Sequence, residues 1–178
     1  KARKRVLHGW KAGPQTIALK TQINSMADGD VLIISIPKSP YRCPPGPYER
    51  ACLVGSYFKN RKPKSKILLL DANPDVQSKK NFFISAWEKI YKNNIEYVPN
   101  MEISELDFKS RTLISQFGDR IKGDVLNVIP PNTSGKIAHL ADLVTTNNKW
   151  CDVDWLNLES KKHRNIHILG DATLATAQ

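Results

Sequence analysis

The sequence predicts an α/β fold, a doubly wound parallel sheet with an antiparallel β-meander insert, on three observations. Short, β-branched apolar runs recur at Val31–Ile36, Lys66–Leu70, Ile95–Val98 and Asp124–Ile129, each the length of a strand buried on both faces. Segments with apolar residues at three-and-four spacing separate the first three of them, as crossover helices do. Between the third and fourth runs the pattern switches to alternation, the mark of antiparallel pairing. The order βαβαβ, meander, β is a Rossmann-like arrangement of the FAD/NAD(P)-binding type, here incomplete.

Each element has local support. Pro14 at a helix start and Gly29 past its end bracket a first helix with Leu19, Ile23 and Met26 on one face. After Val31–Ile36 and a proline-dense loop comes a second helix. Tyr48, Cys52 and Gly55 form one stripe on it, with Ala51, Val54 and Phe58 beside them. Lys66–Leu70 is the next strand, ending at Asp71. A third helix over about Lys79 to Lys92 carries Phe82, Phe83, Ala86, Trp87, Ile90 and Tyr91 at core-facing spacing. Leu106–Phe108 and Thr112–Phe117 read as a hairpin turning near Ser110, and Pro130 and Pro131 stop the strand Asp124–Ile129. Beyond lie a short helix (Lys136–Leu143), an extended piece at Cys151–Val153 and a last strand, Ile166–Leu169. These pieces are too short to make a core alone. Residues 1–131 therefore read as an NAD-binding-like second domain, and 132–178 as a truncated return segment of a neighbouring domain.

The chain of 178 residues is 40% hydrophobic, enough for a core without disulfide or metal staples. It starts without methionine and stops just after a strand-like segment, so it reads as a fragment. No apolar run approaches the roughly 18 residues of a membrane span, and Lys1–Arg5 leads into no signal-like stretch. The net charge of +10 invites a nucleic-acid reading. The cations are dispersed, however, with clusters at Lys1–Arg5, Lys59–Lys66 and Lys161–Arg164, and no nucleic-acid motif accompanies them. A solvated basic surface that draws in small anions is the reading adopted. Cys43, Cys52 and Cys151 lack metal-site spacing, and no metal site is expected.

The loop after the first strand carries the chemistry. In a dinucleotide-binding domain this turn is glycine-rich because backbone N–H groups approach a pyrophosphate. Here it has prolines at 37, 40, 44, 45 and 47, none with an N–H to offer, and one glycine, Gly46. The NAD site is overwritten. Asp71 stands where an acid binds an adenosine ribose, though a lone Asp at a strand end is more often a turn residue. The prolines also fix Cys43 on a stiff loop just before a helix N-terminus and beside Arg42, both of which favour thiolate. From spacing alone, a reactive thiol and a buried cysteine in a tight turn are equally consistent. Cys52 and Cys151 read as inert core residues. Glu49 either complements the helix dipole or serves as an acid or base in the cleft the loop covers.

The run Tyr41-Arg42-Cys43-Pro44-Pro45-Gly46-Pro47-Tyr48-Glu49-Arg50-Ala51 resembles the flavin-binding subunit of flavocytochrome c sulfide dehydrogenase. The similarity continues at Trp10–Gly13, Met26–Gly29, Lys62–Lys66, Ile129–Pro131, Gly135–Ala138, Trp150-Cys151 and Ile168–Ala172. The Gly170-Asp171-Ala172 ending is shared more widely, by glutathione-reductase-like flavoproteins. The resemblance implies a periplasmic enzyme that oxidises hydrosulfide to sulfur on FAD and passes electrons to a c-type cytochrome subunit. It implies that Cys43 is half of a redox-active disulfide, that Glu49 is an acid/base near the flavin, and that Asp171, in the Gly170-Asp171 turn, binds the ribityl chain of FAD.

The family's partner cysteine and its FAD pyrophosphate loop fall outside this chain. On that reading the fragment alone is inactive and holds FAD weakly or not at all. Two other readings stand beside it: an NAD(P)H-dependent flavin oxidoreductase domain, and a non-catalytic docking domain for a protein partner.

Overall fold

The computed structural model describes residues 7–174, so the basic run Lys1–Arg5 lies outside the described residues. The chain divides into two compact units, Lys1–Ser39 with Pro45–Pro130 and Pro40–Pro44 with Pro131–Gln178.

The first unit is built on four parallel strands in the order β3-β2-β1-β7. These are β1 (Val31–Ile36), β2 (Lys66–Asp71), β3 (Ile95–Val98) and β7 (Val125–Val128). The runs that are apolar without alternation in sequence are the inner strands, covered on both faces. Successive residues serve opposite faces. On one, Leu32, Ile34, Ile67 and Leu69 are fully buried, as are Tyr48, Ala51 and Phe58 of α2 (Gly46–Arg61). On the other, Ile33, Leu70 and Leu126 cluster with Leu113 of the meander. α2 approaches β3 closely at Gly55, where an added Cβ would stand 2.9 Å from Ile95 Cδ1, so only glycine fits without a shift.

Helix ends follow their proline and lysine signals. α1 (Pro14–Asn24) starts on Pro14, whose fixed φ suits a first turn. Past its C-terminal end, the buried Lys62 ammonium donates to the carbonyls of Ile23 (3.2 Å), Asn24 (2.8 Å) and Met26. α2 stops at Lys62 because Pro63 cannot continue it.

The antiparallel insert is a three-stranded meander, β4 (Ile103–Asp107), β5 (Thr112–Ser115) and β6 (Arg120–Lys122). The expected hairpin is thus right in kind and shifted in place. The Asp107 carboxylate ends β4 by accepting from the N–H of Lys109 (2.9 Å) and the hydroxyl of Ser110 (2.7 Å), which leaves Phe108 in the turn. The third helix also differs. α3 (Lys80–Lys89) buries Trp87, but Phe82 is 79% exposed and Ile90 50%, so its apolar stripe is wider than the face its neighbours cover.

The second unit has a small core of Ala138, Leu143, Cys151, Val153 and Ile168. α4 (Lys136–Leu140) is shorter than expected, because the chain turns through Asp142 in the left-handed region (φ 56°). Ile166–Leu169 is not a strand. It makes one isolated bridge, His167 to Glu159, and Leu169 is 69% exposed, because no neighbouring strand among the described residues completes a ladder. Gly170–Ala172 is instead a 3₁₀ turn, η1.

The segment before α1 is tied to β7. Asn127 Nδ2 donates to the carbonyls of Leu7 (2.9 Å) and His8 (2.7 Å), and Arg50 donates to Asn127 Oδ1 (2.8 Å) and Gly9 O (2.7 Å). His8 Nδ1 accepts the Trp10 N–H at 2.9 Å, which requires an unprotonated nitrogen. Burial first, and then the Arg50 charge, push the His8 pKa below its ordinary 6.5. Stability from the neutral ring is therefore complete above pH 6.5 and declines as pH falls through the lowered folded-state value. An NMR titration of His8 is expected to give a midpoint below 6.5, and His8→Gln to flatten the acid side of the melting-temperature profile. A midpoint at or above 6.5 would contradict the packing described.

Candidate functional site

The loop from β1 to α2 leaves the carboxyl end of the parallel sheet, the end where open α/β sheets place their ligands. In the first unit Asn73 holds its start, donating from Nδ2 to Pro37 O (3.0 Å) and accepting the Ser39 N–H on Oδ1 (2.8 Å). Side-chain bonds to Asn73 thus occupy a stretch that a pyrophosphate-binding turn would offer to its ligand.

Asp71, at the carboxyl end of β2, has its hydrogen-bonding capacity engaged inside the protein. Its side chain is fully buried at the end of β2. One carboxyl oxygen accepts the hydroxyls of Tyr48 (2.7 Å) and Tyr97 (3.1 Å). The other accepts the backbone N–H (2.9 Å) and Nδ2 (2.7 Å) of Asn73. The Tyr48 oxygen in turn accepts the Gln77 N–H at 3.1 Å. Tyr48, Phe83, Trp87 and Tyr97 surround the site as packed rings, with Trp87 and Tyr97 centroids 5.2 Å apart. Asp71 closes a local turn onto the Asn73 N–H and is also the buried acceptor that joins α2 to β2 and β3.

Residues Pro40–Pro44 belong to the second unit. Tyr41 is buried and its hydroxyl donates to Pro44 O at 3.2 Å, closing the loop on itself. The Arg42 N–H donates to Asn132 Oδ1 at 2.8 Å. Its guanidinium donates from Nε to Asp171 O (2.7 Å) and from Nη2 to Thr173 O, and lies 3.9 Å from the centre of the buried Trp150 ring. The Asp171 carboxylate stands 3.8 Å from Arg42 Nε. Burial pulls the Arg42 pKa down and Asp171 opposes the shift. Arg42 is therefore engaged with the Gly170–Ala172 turn, a role that its place beside Cys43 in the sequence does not reveal.

Cys43 follows at φ 54°, left-handed backbone that a non-glycine residue adopts only when its surroundings impose it, and its side chain is exposed. Both features separate it from the other cysteines. Burial pushes the Cys52 thiol up, with Trp87 opposing and Glu49 adding, and burial pushes up the Cys151 thiol, which is fully enclosed. Gly170 occupies φ 67°, and its carbonyl accepts both the N–H (3.1 Å) and the hydroxyl (2.9 Å) of Thr173, which fixes the turn. Asp171 leaves that turn with its side chain 71% exposed. The second unit thus brings Arg42, the residue before Cys43, together with the Gly170-Asp171 turn. Glu49 is in the first unit, exposed in the first turn of α2.

Comparison with known proteins agrees with this frame. The family model for the central part of the sulfide dehydrogenase (flavocytochrome c) flavoprotein chain matches residues 16–130. The sulfide:quinone oxidoreductase of the hyperthermophilic bacterium Aquifex aeolicus superposes with a TM-score of 0.63 at 19% identity, over 89% of this chain and 38% of that one. The reduced CoADR-RHD of Bacillus anthracis gives a TM-score of 0.57 at 16% identity, over 92% and 27%. At these identities the two structures establish the shared fold, and the chain spans well under half the length of either.

Asp71→Ala is expected to leave two tyrosine hydroxyls and the Asn73 amide without an acceptor, lowering unfolding free energy by about 3 kcal/mol or more. Urea denaturation measures this, and a loss below about 0.5 kcal/mol, the size of an ordinary surface substitution, would show that Asp71 is not the junction described.

Proposed function

The chain belongs to the family of the central domain of the flavocytochrome c sulfide dehydrogenase flavoprotein, and from that premise we propose that it is part of a flavoenzyme that oxidises hydrosulfide to sulfur and delivers the electrons to a c-type cytochrome subunit. The observation that carries the proposal is Cys43: exposed, held in left-handed backbone on a proline-stiffened loop, and tied through Arg42 to the turn bearing Asp171. The basic surface favours approach of an anionic substrate. A periplasmic location and the cytochrome partner go with the family reading. Among the described residues, no helix is long and apolar enough to cross a membrane.

The residues present fit FAD in one respect that this chain can supply. Asp171 offers an exposed carboxylate on a turn fixed by Thr173, suited to accept hydrogen bonds from a ribityl chain, with Gly170 giving the turn its left-handed backbone. FAD, when bound, supplies the two-electron acceptor for sulfur oxidation and its later one-electron release. Residues 132–178 are then the return segment of the FAD-binding domain. The pyrophosphate loop falls to other parts of the full-length protein, and the isolated chain is inactive.

Cys43 acts as one half of a disulfide whose other cysteine lies elsewhere in that protein. Hydrosulfide sulfur bonds to Cys43 as the disulfide breaks, leaving a persulfide on Cys43 and a thiolate on the partner cysteine. Glu49, exposed at the start of α2, takes the hydrosulfide proton. The reading as an NAD(P)H-dependent domain is disfavoured by the proline loop and the enclosed Asp71.

In the full-length protein, Cys43→Ser is expected to abolish bleaching of the flavin band by sulfide while FAD content is retained, and Glu49→Gln to slow it by about 100-fold. Unchanged bleaching in Cys43→Ser would remove Cys43 from the reaction.

A further inference from the structure

The Cys43 loop and the Asp171 turn are far apart in sequence and meet at one side chain. We propose that Arg42 is a positioning residue for Cys43, a clamp across two carbonyls that sets the thiol's place relative to the Asp171 turn by shape rather than by charge. The inference rests on the reading of Cys43 as the sulfur-reactive residue.

A cation next to a cysteine ordinarily acts by stabilising thiolate. Here the donors of Arg42 are committed elsewhere, Nε to Asp171 O at 2.7 Å and Nη2 to Thr173 O. These carbonyls bracket the end of η1, so the fork of the guanidinium spans the turn that presents the Asp171 carboxylate. Trp150 supplies the third constraint. Its ring is fully buried 3.9 Å from the guanidinium carbon, and its indole N–H finds no hydrogen-bond partner among the described residues. That position therefore contributes the face of the ring rather than its polar edge, which is what a stacked guanidinium uses. The backbone of Arg42 is held separately by Asn132. With both ends of Arg42 fixed, Cys43 has little freedom, and its φ of 54° is the imprint of that restraint. A lysine could supply the charge and several donors, but all from one nitrogen; it offers neither two donors fixed apart in one plane nor a planar stacking surface.

The test uses the full-length flavoprotein, comparing Arg42→Lys and Arg42→Gln with the parent sequence. Two quantities are read: hydrogen exchange of residues 41–43 and 170–174, and the rate against pH at which iodoacetamide alkylates Cys43 after reduction. The clamp predicts that both variants raise exchange in both segments by about tenfold or more. Alkylation rates change across the pH range with the midpoint unmoved, and lysine fails to restore parent behaviour. Restoration by lysine, with glutamine shifting only the midpoint, would assign Arg42 a charge role and overturn the proposal; so would unchanged exchange in either segment. If Arg42→Gln does not fold, Arg42→Lys still decides between clamp and charge. Failure of the underlying reading is separate: sulfide-dependent flavin reduction surviving in Cys43→Ser removes the chemistry of Cys43 and leaves the exchange result standing.

Discussion

The hydrogen bonds that converge on Asp71 are the constraint on which the first unit depends. A carboxyl group enclosed in protein is costly unless its oxygens find donors. Asp71 finds them on three separate pieces of chain: Tyr48 on α2, Tyr97 on β3, and Asn73 just beyond β2. Each bond to such a group contributes about 1.5–3 kcal/mol when well made, and losing one leaves a buried donor exposed to the full penalty. Asn73 then reaches on to Pro37 and Ser39, so the same centre fixes how the chain leaves β1. The start of the functional loop and the first turn of α2 are therefore set by one polar junction inside an aromatic box.

Dinucleotide-binding folds present backbone N–H groups and an acid at the carboxyl ends of their strands. In this chain the acid faces inward, and proline replaces the donors. The apolar strands need the same cover whatever the loops bind, and here the loop after β1 is stiffened by proline around the cysteine it carries.

The sequence reveals the parts of this that depend on neighbours along the chain. Val31–Ile36 is assigned to the residue, because a β-branched run with no polar interruption has few alternatives. The stripe on α3 has the right period, yet periodicity does not say how much of a wide stripe finds cover, and Phe82 does not. β6 is three residues, Arg-Ile-Lys, too short for any pattern. Ile166–Leu169 has strand composition without a ladder partner among the described residues. At the site, the prolines, Cys43 and Asp171 are visible in sequence. The work of Arg42 is not, since its acceptors lie 129 and 131 residues away. The wider role of Asp71 is hidden for the same reason: its tyrosine partners are 23 and 26 residues away, and only its turn bond to Asn73 is local.

The most direct test of the proposed sulfur chemistry is stopped-flow reduction of the flavin in the full-length protein by alternative electron donors under anaerobic conditions. Rapid bleaching by sulfide, and none by NADH or NADPH, is expected. Bleaching by a nicotinamide nucleotide with no response to sulfide would contradict it.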